Sequence, residues 1–309
     1  MHESILLEGD LFRGQETIWI LGSKGRIGRS ITRKLTNGSR RIVTSDHAAV
    51  DIKNLEDVLI FTERNLPTVI INCAGMSSAK ACEKDPDEAF RVNALGAKNL
   101  AIAANHYGAR LIHISTDDVF NGKDDTPVNE LVEPKPITVY GKTKHLGEKF
   151  IQEFTQKYFI VRSSWVYDLR TIAKIEKSLK NHSLTITRDQ VASPTSRELL
   201  ADFVLELVDS YDYGIYHFVT QGSTNRKEFI EEIAKLLHLE EDLEKSDFHH
   251  QASLHPKYAL MDPLMLRMKN YKTLPSWQED LKNYIENYYL PRRLNLWKKK
   301  NSPLPVKSL

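Results

Sequence analysis

The chain is poor in cysteine, with two in 309 residues, Cys73 and Cys82. That excludes a disulfide scaffold and leads us to expect a reducing, cytoplasmic compartment. No spaced Cys/His cluster of the zinc type occurs, so no metal site is expected. No apolar run is long enough to span a bilayer. The opening stretch MHESILLEGDLFRGQET carries acids and lacks the continuous apolar core of a signal peptide. Excess charge is also missing: a net +2 by itself implies neither nucleic acid nor a membrane surface as a partner. The basic, proline-containing stretch at 291–309 reads as a solvated tail. No internal repeat or low-complexity segment stands out. Apolar residues, in contrast, make up 41% of the chain, enough for a substantial core. The length suits a main domain with a smaller lobe.

Short apolar runs alternate with longer amphipathic ones. TIWILG (17–22), RIVTS (41–45), TVIINCAG (68–75), RLIHIS (110–115) and FIVRSSWVY (159–167) read as strands. Helices are expected between them, the longest a single helix over 86–107 with Ala89, Phe90, Val92, Leu95, Leu100, Ala101 and Ala104 at helical spacing. Continuously apolar strands alternating with helices indicate an α/β fold with a parallel sheet covered on both faces, doubly wound in the Rossmann manner. The rhythm changes after Trp165. The expected division is therefore a dinucleotide-binding domain over 17–165, joined again by elements near 196–220. A smaller C-terminal substrate-binding lobe takes 166–195 and 221–290, and 1–16 and 291–309 are terminal extensions.

Between the first strand and the first helix stands Gly22-Ser23-Lys24-Gly25-Arg26-Ile27-Gly28. Glycines belong there because the turn is tight and the backbone must approach a pyrophosphate closely. The helix start then supplies free N–H groups. A plain strand–helix turn has the same letters, but its position after the first strand of an alternating chain favours NAD or NADP as cofactor. Asp46 closes the second strand, 24 positions beyond Gly22, where an acid binds ribose hydroxyls and favours NAD. Lys24, Arg26 and Arg29 point the other way, toward a 2′-phosphate. The choice between NAD and NADP stays open. Asp51 and Ile52 are placed at the adenine.

The segment EPKPITVYGKTKHLGEKF holds Tyr140-x-x-x-Lys144 on an expected helix, so the phenol and the ammonium share one face. A neighbouring cation would lower the tyrosine pKa and fit it to exchange a proton with a carbonyl oxygen. The pattern alone is common by chance. Its weight comes from the glycine turn and from ISTDDVF (114–120), which ends the fourth strand. Ligands bind at the carboxyl ends of parallel strands, which places the hydroxyls of Ser115 and Thr116 at the ligand edge. Asp117 is expected to order the turn through backbone hydrogen bonds.

With these residues in place, the sequence resembles the extended short-chain dehydrogenase/reductases, and among them the dTDP-4-dehydrorhamnose reductase family. The resemblance covers about 18–289, in ordered blocks: GSKGRIG, VIINCAG, DPDEAFRVNALGAKNLAIAA, STDDVFNG, VYGKTKHLGEK, VRSSWVYD, DQVASPTSRELLAD and LPSWQEDL. It implies a catalytic trio of Thr116, Tyr140 and Lys144. It also implies hydride transfer from NAD(P)H to C4 of a nucleotide-activated 4-keto-6-deoxy sugar, in dTDP-rhamnose or polysaccharide biosynthesis. Tyr140 would protonate the oxygen, Thr116 would polarise it, and Lys144 would tune Tyr140 and bind ribose. The resemblance places Cys73, Ala74, Gly75, Asn93 and Ser115 on the cofactor side, and Ser77, Asp117, Asp118 and Gln190 on the sugar side. It puts Arg162, Ser163, Ser164 and Trp165 near both. A homodimer is left open.

Several positions depart from that family. Asp118 replaces an aromatic residue, and Lys80 stands where an aspartate is usual. The loop after Tyr167 is short. His255-Pro256 replaces an Arg-Pro, and Ser30 replaces an acid that some members use for a metal at a dimer interface. Two further readings therefore remain: a reductase or epimerase acting on another nucleotide sugar, and a non-catalytic NADP-binding regulatory subunit such as the beta subunit of methionine adenosyltransferase.

Overall fold

A computed structural model describes residues 16–36, 38–187 and 190–294; the terminal stretches before 16 and after 294 lie outside the described residues. In chain order the first half runs β1 (Thr17–Leu21), α1 (Arg26–Leu35), β2 (Arg41–Ser45), α2 (Leu55–Asn65), β3 (Val69–Asn72), α3 (Ala79–Lys84), α4 (Pro86–Phe90), α5 (Gly96–Tyr107), β4 (Arg110–Thr116), α6 (Val139–Phe154) and β5 (Tyr158–Ser163). The second half runs β6 (Val166–Tyr167), α7 (Leu169–Lys180), β7 (Ser183–Thr187), β8 (Val191–Ala192), β9 (Thr195–Ser196), α8 (Arg197–Val208), β10 (Gly214–His217), β11 (Thr224–Asn225), α9 (Arg226–Leu237), α10 (Glu240–Glu244), β12 (Asp247–Gln251), β13 (Tyr258–Ala259), α11 (Leu264–Met268) and α12 (Trp277–Tyr284).

Six strands form one parallel sheet in the order β10-β5-β4-β3-β1-β2. Strand side chains alternate between faces, and β1 shows the result. Ile18 and Ile20 pack with α1 and α8 in one core layer, whereas Trp19 and Leu21 join α5, α6 and Val58 of α2 in the other. Chain order reverses between β1 and β3, the switch point of the sheet. There the crossovers run to opposite faces and leave a crevice at the strands' carboxyl ends.

The lobe has its own core of Tyr167, Ile172, Phe229, Ile233, Trp277, Leu281 and Tyr284. A buried carboxylate ties it together. Asp280 accepts the Tyr167 hydroxyl at 2.9 Å, and the Ser196 amide and hydroxyl at 2.7 Å each. Between the lobe's segments the chain returns to the sheet, where α8 packs on α1 and β10 pairs with β5.

The expected helix over 86–107 is present but changes its winding once. It is α4, then a wider π-helical turn at Arg91–Leu95, then α5. Local contacts hold this shape. Asn93 in the wide turn reaches the loop after β3, and Gly96 fits against Ile52, where a Cβ would lie 2.6 Å from the Ile52 side chain. The third strand also stops at Asn72 rather than running to Gly75. The Asn72 side chain accepts the Ala74 amide at 3.0 Å and turns the backbone away from the sheet. Among the described residues, no helix is long and apolar enough to cross a membrane.

Candidate active site

The glycine turn after β1 closes on the end of β3. Gly22 has a φ of +69°, and a Cβ there would sit 2.8 Å from the backbone of Cys73 and Ala74. A Cβ on Gly28 would lie 2.4 Å from the Gly22 oxygen, so the first turn of α1 depends on its absence. Gly25 caps α1, with no side-chain cap and no acid in the first turn. The first amides of this ten-residue helix are therefore open to an anion, reinforced by the helix dipole.

Two cavities share this turn. One, of about 530 Å³, is lined by Gly22, Lys24, Asp46, Asp51 and Ile52 together with Cys73–Met76. The other, of about 390 Å³, is lined by Gly25, Arg26 and Ile27, by Cys73–Ser77 and Asn93, and by Thr116, Tyr140 and Lys144. The residues present fit a dinucleotide, with its adenosine in the first cavity and its nicotinamide in the second. Lys24 and Asp46 are themselves ion-paired, and the lysine's hydrogen bond holds the Asp46 carboxyl below its usual range. Arg29 donates to the Lys24 carbonyl at 3.1 Å and braces the turn.

The catalytic candidates come from β4 and α6. Lys144 is buried. Its Nζ donates to the Ile114 carbonyl at 2.6 Å and lies 2.9 Å from His113 Nε2. Asn72 Nδ2 lies 3.0 Å from His113 Nδ1, so the ring bridges the Asn72 amide and the Lys144 amine. Burial lowers Lys144 to about 8, with Glu148 acting the other way. Burial likewise holds His113 neutral, well below its ordinary range.

Tyr140 departs from the expectation that its neighbouring lysine lowers its pKa. Burial, followed by the Asp118 carboxylate, pushes the phenol above its usual range, and only the Thr116 hydroxyl acts the other way. The physical reason is the loss of water around the phenol together with the neighbouring acids Asp118 and Asp117, while the Lys144 amine is turned to β4. Tyr140 consequently keeps its proton across the neutral range.

Asp117 also corrects a sequence expectation. Its carboxylate accepts side-chain hydroxyls, Thr116 at 2.9 Å and Ser164 at 2.7 Å, rather than backbone amides. The turn is ordered instead by Thr116 Oγ1, which accepts the Asp118 amide at 3.2 Å. Burial, and then Asp118, push Asp117 up to about 6.

The remaining residues divide. Ser77, Asp118, Trp165 and Gln190 line the same cavity as the trio. Asn93 turns its side chain to Met76, accepting the amide at 2.8 Å, and to Thr143 at 3.1 Å, so it shapes the cofactor wall. Ser115 lines the cavity, but its hydroxyl donates a hydrogen bond to Glu148 at 2.5 Å. Arg162 does not face a ligand. It is buried against Glu148, at 2.7 and 3.0 Å, behind the end of the sheet. Ser30 is buried and donates to Glu198 at 2.9 Å. Among the described residues, no group of three or more His, Cys, Asp and Glu side chains could hold a metal ion.

Sequence reading missed three contributors. Glu148 lies four residues beyond Lys144, and that spacing is a signal it could have used. His113, a polar residue inside an apolar strand, is a weaker signal. Arg226 carries none: its guanidinium stacks 3.5 Å from the Trp165 ring and faces the cavity. Trp165 itself adopts a φ of +36°, which strains the backbone, and its buried Nε1 has no protein partner.

A parallel sheet with a glycine turn at its switch point, and a Tyr-x-x-x-Lys helix beside the end of β4, defines the extended short-chain dehydrogenase/reductase type. Comparison narrows this class. The chain belongs to the family described as the RmlD substrate binding domain, whose model matches residues 16–290. It is 30% identical over 275 residues to the spore coat polysaccharide biosynthesis protein SpsK of Bacillus subtilis, covering 87% of this chain and 96% of that protein. It is 34% identical over 221 residues to the dTDP-4-dehydrorhamnose reductase of Escherichia coli, covering 67% of this chain and 73% of that enzyme. The crystal structure of the Bacillus anthracis dTDP-4-dehydrorhamnose reductase in complex with NADP superposes with a TM-score of 0.82 at 31% identity, covering 88% of this chain and all of that one.

Proposed function

We propose that the chain is an NAD(P)H-dependent reductase of a nucleotide-linked 4-keto sugar, acting in polysaccharide biosynthesis in the cytoplasm. One observation carries this reading: Thr116, Tyr140 and Lys144 line the same cavity as the first turn of α1 and the end of β3. NAD(P)H supplies the hydride to C4. Tyr140, protonated across the neutral range, gives its proton to the ketone oxygen and completes the alcohol. Thr116 lines the same cavity; its one hydroxyl proton goes to Asp117 in this geometry, so the hydroxyl would have to turn to polarise the ketone oxygen. Lys144, whose amine donates to the Ile114 carbonyl, would hold the nicotinamide ribose.

A third cavity supports the nucleotide-linked form of the substrate. It measures about 720 Å³ and meets the catalytic cavity at Arg26, Thr171 and Arg226. Arg170 and Lys174 of α7 add two more cations, whereas its acid, Asp168, is used as the α7 cap. Such a wall suits a diphosphate. The short loop after Tyr167 is what brings α7 there.

The test is spectrophotometric. NADPH or NADH is supplied with a panel of nucleotide-4-keto sugars, and absorbance is followed for wild type and Tyr140→Phe. Turnover by the wild type, lost in the variant while cofactor binding persists, is the expected result. Cofactor binding with no turnover on any sugar would overturn the reductase reading in favour of a regulatory one.

A further inference from the structure

Two of the positions at which the sequence leaves its family's pattern meet in space. Asp118 stands in place of an aromatic residue and His255 in place of an arginine, 137 positions apart. His255 Nδ1 nevertheless lies 2.8 Å from Asp118 Oδ2 and 3.1 Å from Oδ1. The contact bridges the two halves of the molecule. Asp118 follows β4 in the sheet domain and is buried, while His255 comes from the loop between β12 and β13 and is part-exposed. Both line the cavity that holds Tyr140. With Nδ1 taken by the carboxylate, Nε2 of His255 has no hydrogen-bond partner among the described residues.

The chemistry of the exchange follows. An aromatic side chain offers an apolar face. A carboxylate in its place would leave a buried charge beside Asp117 and Tyr140 unless a cation accompanied it. His255 supplies that cation: with Nδ1–H held by the carboxylate, Nε2 is a donor while the ring is protonated and an acceptor once it is neutral. We propose that Asp118 and His255 act as one specificity-determining unit that presents the His255 Nε2–H to a hydroxyl of the sugar. By this inference the chain selects a 4-keto sugar with a hydroxyl at the place that His255 Nε2 faces. The inference rests on the reductase reading above.

Several charged groups bear on the pair. The Asp118 hydrogen bond raises the His255 pKa, Asp117 adds to that, and Arg226 opposes it. On Tyr140, the acids Asp118, Asp117 and Cys82 all act upward. The imidazolium is therefore present to a higher pH than in a free histidine, and the selectivity should follow its titration.

The experiment measures binding and NADPH oxidation with a dTDP-4-keto-hexose and its analogues lacking the hydroxyl at C2, C3 or C6 in turn, from pH 6 to 9. Wild type should discriminate against one analogue by roughly 10- to 100-fold, the worth of one hydrogen bond from a charged, part-exposed donor. His255→Leu should equalise that pair of sugars. His255→Gln, which keeps a donor, should retain the preference without its pH dependence. Asp118→Asn, nearly isosteric, should move the alkaline limb of the preference to lower pH. An unchanged preference in His255→Leu, or an unchanged limb in Asp118→Asn, would overturn the proposal. Sugars that bind without NADPH oxidation count against the reductase reading alone, and their affinities still read out the pair. If no sugar binds, both fail.

Discussion

The cofactor side and the substrate side of the cleft are built on different principles. On the cofactor side the contacts are made by backbone: Gly22 and Gly28 are required because a Cβ would collide with neighbouring main chain, and the anion site is a row of helix amides. On the substrate side the contacts are made by side chains from distant segments, with His255 meeting Asp118 and Arg226 meeting Trp165. Backbone recognition restricts a few consecutive positions to glycine. Side-chain recognition tolerates any set of residues that converges. The first can stay fixed while the second is rewritten, and the departures from the family pattern at 118 and 255 fall on the second.

Five measurements would break or sharpen this contrast. Tyr140→Phe should lower kcat by roughly 10²- to 10⁴-fold, the usual contribution of a placed proton donor, with cofactor affinity retained. If cofactor affinity falls equally, the two sides are not separable. Glu148→Gln should cost about 3–5 kcal/mol of stability, because it strands the buried Arg162 charge. The linkage has a definite sign. Glu148 is held below its usual 4.5 by Arg162 against the cost of burial, so its stabilisation is present above that value and is lost as pH falls below it. Thermal melting across acid pH should show a flatter profile in the variant.

Arg226→Ala should raise KM for a nucleotide sugar by about tenfold with little change in kcat, since it removes a cation near the diphosphate and the stack on Trp165. A pH–rate profile should show a limb at about 8 from Lys144, charged below and neutral above. Tyr140, raised out of the neutral range, should contribute none there. Asp46→Asn should produce the smallest effect, a shift of the NAD/NADP affinity ratio toward NADP of about 3- to 10-fold by titration, because Lys24 would then be free for a 2′-phosphate.

The same contrast explains what could be read from sequence. Apolar runs at strand spacing located five of the six strands of the sheet, all but β10, and GSKGRIG and Tyr140-x-x-x-Lys144 located the cleft, because each depends on local periodicity or on consecutive residues. The orientation of Arg162 was not readable. Strand alternation gives its face, but its partner Glu148 is contributed by α6, and only packing decides that the pair lies behind the cavity. The Tyr140 environment was misread for a related reason. Helical spacing makes Lys144 a neighbour, yet β4 captures the amine through the Ile114 carbonyl and His113. The basic stretch at 295–309 lies outside the described residues.

The wide turn at Arg91–Leu95 has a consequence of its own. A π-turn holds one residue more than an α-helix needs for the same span, so α4 and α5 are out of phase by about 100°, one residue's rotation. That offset lets Asn93 reach Met76 and Thr143 while Gly96, three residues later, meets Ile52. Deleting any single residue from the turn would bring the helix into register and leave its sequence otherwise intact. It would also swing Asn93 off the loop after β3. At this place the cleft is specified by the length of the chain as well as by its side chains, and an alignment that closes the gap would hide that.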